Sequence, residues 1–159
     1  FILNSFVFFY LFLIFATTSI ELHDKIGSSI LFLFIISICI FSDIGGYAVG
    51  KTVGGKKLTK ISPNKTISGT IGSFIFSLFS LIIFENFFNY SVDLNLNAII
   101  FTLIISLVSQ LGDLIISYIK RIAKIKDTGS LLPGHGGLLD RLDGIIFAIP
   151  FSYILIKFF

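Results

Sequence analysis

The chain has 159 residues, 55% of them hydrophobic and 20 of them phenylalanine, with a mean hydropathy of +0.99 and a formal net charge of +3. A soluble domain of this length cannot bury so much apolar surface, so the composition excludes that class and predicts an all-α polytopic integral membrane protein. The charge matters through its distribution, because ten of the twelve basic residues fall in two segments.

Five apolar stretches follow one another at 1–20, 26–42, 68–90, 97–119 and 144–159. Each is long enough, or nearly so, to cross about 30 Å of hydrocarbon as a helix, which predicts about five transmembrane helices in a single membrane domain over 1–159. The first stretch has no charged leader and no clear cleavage site, so it does not read as a signal peptide. The chain contains no Met and begins at Phe1 inside an apolar run, so further N-terminal spans are expected to precede it. Cys39, the only cysteine, lies in the second stretch and reads as small helix filler.

Two of the connections are basic. Residues 43–67 carry Lys51, Lys56, Lys57, Lys60 and Lys65 against a single acid, Asp43, and residues 120–143 carry Lys120, Arg121, Lys124, Lys126 and Arg141. Two spans separate these loops, so both lie on one side of the bilayer, and the positive-inside rule makes that side cytoplasmic. His23, on the opposite side, has no chemical company and is given no role.

Within the first basic loop, Gly45 to Thr52 satisfies the letter of the P-loop pattern. That motif works only between a strand and a helix, and this chain has no room for the sheet it needs. Further on, Ser62 is placed to cap the third span with Pro63 at its first position. Lys65 and Thr66 follow at a helix N-terminus, where free N–H groups favour an anion, and predict a phosphate contact.

The fourth stretch carries Ser106, Ser109, Gln110, Asp113 and Ser117, continuing to Lys120, at spacings that put all of them on one helical face. An acid within a span costs roughly 2.5–3.5 kcal/mol on translocon scales, so Asp113 is expected to face a cavity, a partner or an ion. The blander alternative is a buried aspartate paired with a lysine for packing. Asp140 and Asp143, three residues apart, share a direction if the last helix begins near Leu138. Asp113 and Asp140 converging on one hard cation, with substrate phosphates completing the shell, describes Mg²⁺. No Cys/His cluster offers zinc an alternative.

The segment 117–143 gathers the remaining chemistry. Arg121 suits bidentate phosphate bonds, while Lys120, Lys124 and Lys126 act as mobile charges. Pro133-Gly134-His135-Gly136-Gly137 is a rigid turn whose backbone N–H groups make an anion-binding nest, with His135 placed to donate to phosphate or move a proton. The spaced pattern S-x-x-K-R-x4-K-D-x-G-x2-L-P-x-H-G-G-x2-D-R-x-D is occupied without a gap by Ser117, Lys120, Arg121, Lys126, Asp127, Gly129, Leu132, Pro133, His135, Gly136, Gly137, Asp140, Arg141 and Asp143. In this the chain resembles the phosphatidate cytidylyltransferases, or CDP-diacylglycerol synthases. The stretch from Asp43 through Tyr47, Gly50, Lys56 and Ser62-Pro63-x-Lys65-Thr66 also looks like that family's other cytoplasmic loop. The resemblance covers roughly 40–150, with one departure: Ile67-Ser68-Gly69 stands where many members have Trp-Glu-Gly.

The resemblance implies a membrane nucleotidyltransferase of phospholipid biosynthesis, making CDP-diacylglycerol and pyrophosphate from CTP and phosphatidate at the cytoplasmic face of a bacterial membrane. It implies Asp113 and Asp140 as Mg²⁺ ligands, and Lys120, Arg121, Lys126, His135 and Arg141 as catalytic groups. Ser62, Lys65, Thr66, Ser117, Asp127, Gly136, Gly137 and Asp143 fall to substrate binding, with Asp127 and Asp143 orienting basic groups or backing the metal. A second cation and self-association are left open, and no nucleic-acid partner is expected. Besides a nonfunctional truncation that lacks the spans needed to close the site, two rivals remain at this point. An ion-conducting transporter would use the intramembrane acid but leave the phosphate chemistry idle, and a CDP-alcohol phosphotransferase would need an aspartate array that the chain does not carry.

Overall fold

The computed structural model describes residues 2–25, 29–59, 62, 65–88, 96–125 and 139–156. Five helices account for most of them: α1 (Ile2–Lys25), α2 (Ser29–Thr52), α3 (Ile67–Phe88), α4 (Leu96–Ile122) and α5 (Leu139–Leu155). In hydrocarbon a chain must satisfy every backbone N–H and C=O internally, and long apolar runs do so as helices. The fold is accordingly all-α. The only β feature among the described residues is an isolated antiparallel bridge between Lys57 and Thr66.

Among the described residues, three helices have the length and apolarity to cross a membrane: Ile30–Thr52, Ile67–Asn86 and Leu96–Ile122. Two shorter apolar helices, Phe12–Leu22 and Leu142–Leu155, are described in α1 and α5. The five expected apolar stretches each contain a helix.

One boundary differs from expectation. The sequence places a loop from Asp43 onward, yet α2 continues unbroken to Thr52. Gly45, Gly46 and Gly50 do not break it, because small residues in membrane helices let a neighbouring backbone come close. A Cβ on Gly45 would sit 2.5 Å from the carbonyl oxygen of Gly72, and one on Gly69 would sit 2.8 Å from that of Gly46. The α2–α3 seam is therefore built from glycine on both sides. The P-loop-like letters lie inside this helix, which disposes of a phosphate-cradling loop there.

The start of α3 is a second difference. Thr66, not Ser62, caps the helix: its Oγ1 accepts a hydrogen bond from Gly69 N at 3.1 Å, the third position of the helix. Ser62 instead closes a turn, its carbonyl accepting from Lys65 N at 3.1 Å.

Parts of α3 and α4 turn aliphatic side chains outward and small polar ones inward. On α3, Ile67, Ile71, Ile75, Phe79 and Ile82 are exposed, while Ser73, Ser77 and Ser80 are buried. On α4, Leu107, Leu111 and Ile115 point outward, while Thr102, Ser106 and Ser109 are buried. This is the pattern of helices that present aliphatic side chains to lipid and associate through close packing. The central core joins all five helices through residues such as Leu22, Ile35, Ile38, Leu81, Ile105 and Ile149. Phe34 meets Phe84 edge-on at 5.2 Å between ring centroids and stacks against Phe101 at 6.5 Å. Ser42 and Ser106 tie α2 to α4 by a buried hydrogen bond of 3.0 Å.

Candidate active site

The connection from α2 to α3 is a folded loop. Gly54 and Gly55 take φ of 63° and 113°, a left-handed region that only glycine enters without strain, and the chain reverses there. It then pairs with itself: Leu58 N donates to Lys65 O at 2.8 Å, and Ile67 N donates to Lys56 O at 3.0 Å. Ser68 Oγ fastens the loop from the helix side by donating to Gly54 O. These bonds fix the backbone of Lys65 next to the capped end of α3.

From that position Lys65 Nζ forms an ion pair with Asp113 Oδ2 on α4, with the two side chains 28% and 27% exposed. The packing alternative expected just such a lysine partner. The pair is not sealed in a core, however. Both residues line a cavity of about 330 Å³ between α2, α3 and α4, together with Asp43, Tyr47, Ser62, Thr66, Ser73 and Gln110. Asp113 therefore faces a cavity and a partner at once, and the transporter and enzyme readings both survive this geometry.

The α4 stripe arranges the rest. Ser117 Oγ donates to Asp113 Oδ1 across 3.4 Å. One turn deeper, Gln110 Nε2 donates to Ser106 Oγ at 3.3 Å. From α5, Asp143 stands close enough to Asp113 for the two carboxyls to act on each other, and Lys120 is close enough to act electrostatically on both. Asp143 Oδ1 also accepts from the N–H of Gly144 at 2.9 Å. Small residues permit this approach: a Cβ on Gly112 would lie 3.1 Å from the Asp143 carbonyl, and one on Gly144 would lie 3.0 Å from that of Ser109. α4 ends in a Schellman motif just beyond Lys120 and Arg121. Ile125 N donates to Lys120 O at 3.0 Å, Lys124 N donates to Arg121 O at 3.0 Å, and Lys124 takes φ of 55°.

Of the expected site residues, the structure brings Ser62, Lys65, Thr66, Asp113, Ser117, Lys120 and Asp143 to one end of the bundle, while Arg121 is exposed at the end of α4. Lys126, Asp127, His135, Gly136 and Gly137 lie outside the described residues. Asp140 and Arg141 stand in the first turn of α5, which begins at Leu139 as expected, but their side chains lie outside the described set.

Sequence reasoning missed Asp43 as a cavity residue, along with Tyr47, Ser73 and Gln110. Asp43, Gly46, Tyr47 and Gly50 recur at helical spacing, which is the signal that could have placed the acid on a polar face of α2. Tyr47 is 70% exposed, and Lys51 Nζ donates to its hydroxyl at 3.2 Å while standing 5.4 Å from its ring centroid.

The donor chemistry fits a hard divalent cation, since the acids lining this space, Asp43 and Asp113, offer carboxylate oxygens. Among the described residues, no three His, Cys, Asp or Glu side chains are grouped closely enough to hold a metal alone.

A family model described as the cytidylyltransferase family matches residues 1–159. The chain is 39% identical over 142 residues to the phosphatidate cytidylyltransferase of Bacillus subtilis (strain 168), covering 88% of the chain and 52% of that protein. It is 46% identical over 128 residues to the phosphatidate cytidylyltransferase of Staphylococcus aureus (strain COL), covering 78% and 48%. With the protein of that name from Staphylococcus haemolyticus (strain JCSC1435) it shares 43% over 156 residues, 96% of the chain and 54% of the relative. The chain spans about half the length of these curated relatives.

Proposed function

The chain belongs to the cytidylyltransferase family, and from that premise we propose that the intact protein transfers the cytidylyl group of CTP to phosphatidate, releasing pyrophosphate and leaving CDP-diacylglycerol in the membrane. The observation that carries this reading is the cavity. It sits at the end of membrane-crossing helices, so a lipid headgroup reaches it from the bilayer while a polyphosphate reaches it from the basic loops.

In the transfer, a phosphatidate oxygen attacks the α-phosphorus of CTP. The new P–O bond forms as the bond from that phosphorus to the β-phosphate's bridging oxygen breaks, and pyrophosphate leaves with the electron pair. The attacking oxygen is already anionic near neutral pH, so a strong base is unnecessary. What the site must supply is charge neutralisation and alignment. Lys65 enters from the α2–α3 loop and Lys120 and Arg121 from the end of α4, so the phosphates are held from two sides. The capped N-terminus of α3 adds its partial positive charge. Lys126, Arg141 and His135 complete the basic set, with Gly136 and Gly137 offering backbone N–H groups and Asp127 orienting the neighbouring cations.

Asp113 and Asp140 would hold Mg²⁺, which would supply Lewis-acid polarisation of the α-phosphate. Asp143, beside Asp113, keeps that carboxylate oriented, and Ser117 holds its other oxygen. The clustering of basic residues in these two segments supports a site on the cytoplasmic side of a bacterial membrane, by the positive-inside rule.

Membranes carrying the intact protein, given phosphatidate, Mg²⁺ and CTP labelled in the α-phosphate, are expected to move label into the lipid-soluble fraction, while γ-label leaves as pyrophosphate. Label that stays in the aqueous phase under those conditions sinks the proposal.

A further inference from the structure

Asp43 is an acid on an apolar helix, facing a cavity that on the reading above receives several phosphates. A bare carboxylate there repels the substrate and is costly in hydrocarbon, unless it meets a cation at some stage. Among the described residues it forms no hydrogen bond and no ion pair; the cavity's lysine is committed to Asp113 instead. That lysine stands where a metal cation on Asp113 would stand. When a cation binds Asp113, Lys65 must leave it, and a displaced ammonium needs another anion.

We propose that Asp43 is a positioning residue that receives Lys65 Nζ when a divalent cation takes Asp113, so that the lysine stays at the cavity facing the nucleotide phosphates. The geometry suits a side-chain swing. The backbone of Lys65 is held by its bonds to Leu58 and Ser62, of 2.8 and 3.1 Å, and by the Thr66 cap beside it. The four-carbon stem is then free to redirect the ammonium without moving the loop. Asp43, Lys65 and Asp113 line the same cavity, and Asp43 lies within electrostatic reach of both other groups. The glycine seam at Gly46 and Gly69 holds α2, which carries Asp43, against α3, whose capped end adjoins Lys65.

The inference rests on the reading that Asp113 takes a cation, and a mutant cycle separates the two. The full-length protein in lipid nanodiscs is titrated with Mn²⁺, free Mn²⁺ being read by electron paramagnetic resonance without nucleotide. Lys65→Gln removes the competing ammonium and should tighten Mn²⁺ binding roughly tenfold, the scale on which groups behind metal ligands act. Asp43→Asn leaves the ammonium nowhere else to go and should weaken binding by roughly the same factor. The double variant should bind as Lys65→Gln does, because Asp43 acts only through the lysine. If Asp43→Asn weakens binding equally in both backgrounds, Asp43 acts on the cation directly and the inference is overturned. Binding that Lys65→Gln leaves unchanged overturns it too, while leaving the cation reading intact. Absence of Mn²⁺ binding in all four proteins removes the cation reading, and the inference with it. Should Asp43→Asn not give a monodisperse protein, Asp43→Ser serves the same cycle.

Discussion

The two helix pairs at this end of the bundle, α2–α3 and α4–α5, make a polar site inside an apolar protein in different ways. In α2–α3 the helices meet through glycine on both faces, and the loop between them is pinned by its own backbone bonds, so the pair delivers one lysine to a fixed point. In α4–α5 the polar groups sit on the helices themselves, as a stripe from Ser106 to Lys120 joined by Asp143 from the facing helix. One hairpin positions by backbone, the other by helical periodicity. The difference predicts that damage to the first appears as lost stability, and damage to the second as lost turnover.

The sharpest break should come in the second hairpin. Asp113→Asn keeps the shape but removes the charge that Lys65, Ser117 and Asp143 converge on, and turnover is expected to fall by about 10²–10³-fold. The thermal midpoint should move far less than the rate. A turnover unchanged across Mg²⁺ concentrations would refute the role given to this carboxylate.

Two glycine substitutions probe the contrast one level down. A Cβ on Gly72 would lie 2.5 Å from Val49 Cβ and 2.8 Å from the Gly45 carbonyl, groups that move only if the helices part. Gly72→Ala should therefore destabilise by about 1–3 kcal/mol, the usual range for overpacking. On the other seam, the tightest contact for a Cβ on Gly112 is the ring edge of Phe147 at 2.7 Å, which can rotate away. Gly112→Ala should unfold later than Gly72→Ala but transfer more slowly, because the 3.1 Å contact with the Asp143 carbonyl shifts that acid from Asp113. Equal melting shifts in the two variants would erase the distinction between the seams.

The same contrast explains what was legible beforehand. The α4 stripe repeats every three or four residues, so Asp113, Ser117 and Lys120 could be placed on one face from spacing alone, and the start of α5 fell within one residue of expectation. Asp43 was not legible as a site residue because the glycines after it read as loop. Their helical conformation depends on α3 packing against them, which local propensity does not contain. Lys65 was expected to meet phosphate, but its pairing with Asp113 depends on a loop closed by long-range backbone bonds. Ser62-Pro63 carried the ordinary signature of a helix start, yet the turn from Ser62 to Lys65 and the bridge from Lys57 to Thr66 keep those residues outside the helix, so the cap moves four positions on.

That displaced cap gives the next test. Thr66→Ala removes the acceptor for Gly69 N and should cost about 1 kcal/mol, whereas Thr66→Ser should be close to neutral. Ser62→Ala keeps the backbone carbonyl that closes the turn with Lys65 and should leave the melting temperature almost unmoved. The reverse ranking would return the cap to Ser62 and loosen the first hairpin's hold on its lysine.

The smallest expected effect has the opposite sign and lies at the end of α4. Lys124 holds the left-handed position of the Schellman motif with φ of 55°, where a side chain costs about 1–2 kcal/mol and glycine costs nothing sterically. Glycine also gains freedom in the unfolded chain, which returns about 0.5–1 kcal/mol of that difference. Lys124→Gly should therefore stabilise the protein by about 0.5 kcal/mol, a net from the same two terms. The substitution also removes one positive charge from the basic segment, so on the proposed function stability and substrate binding should part: a higher melting temperature with a modestly higher KM for CTP. Lys124→Gln isolates the charge, raising KM by the same factor without the gain in stability. If Lys124→Gly lowers the melting temperature, the lysine is doing more at that helix end than occupying a strained turn, and the second hairpin is held by its charges as well as by its helical spacing.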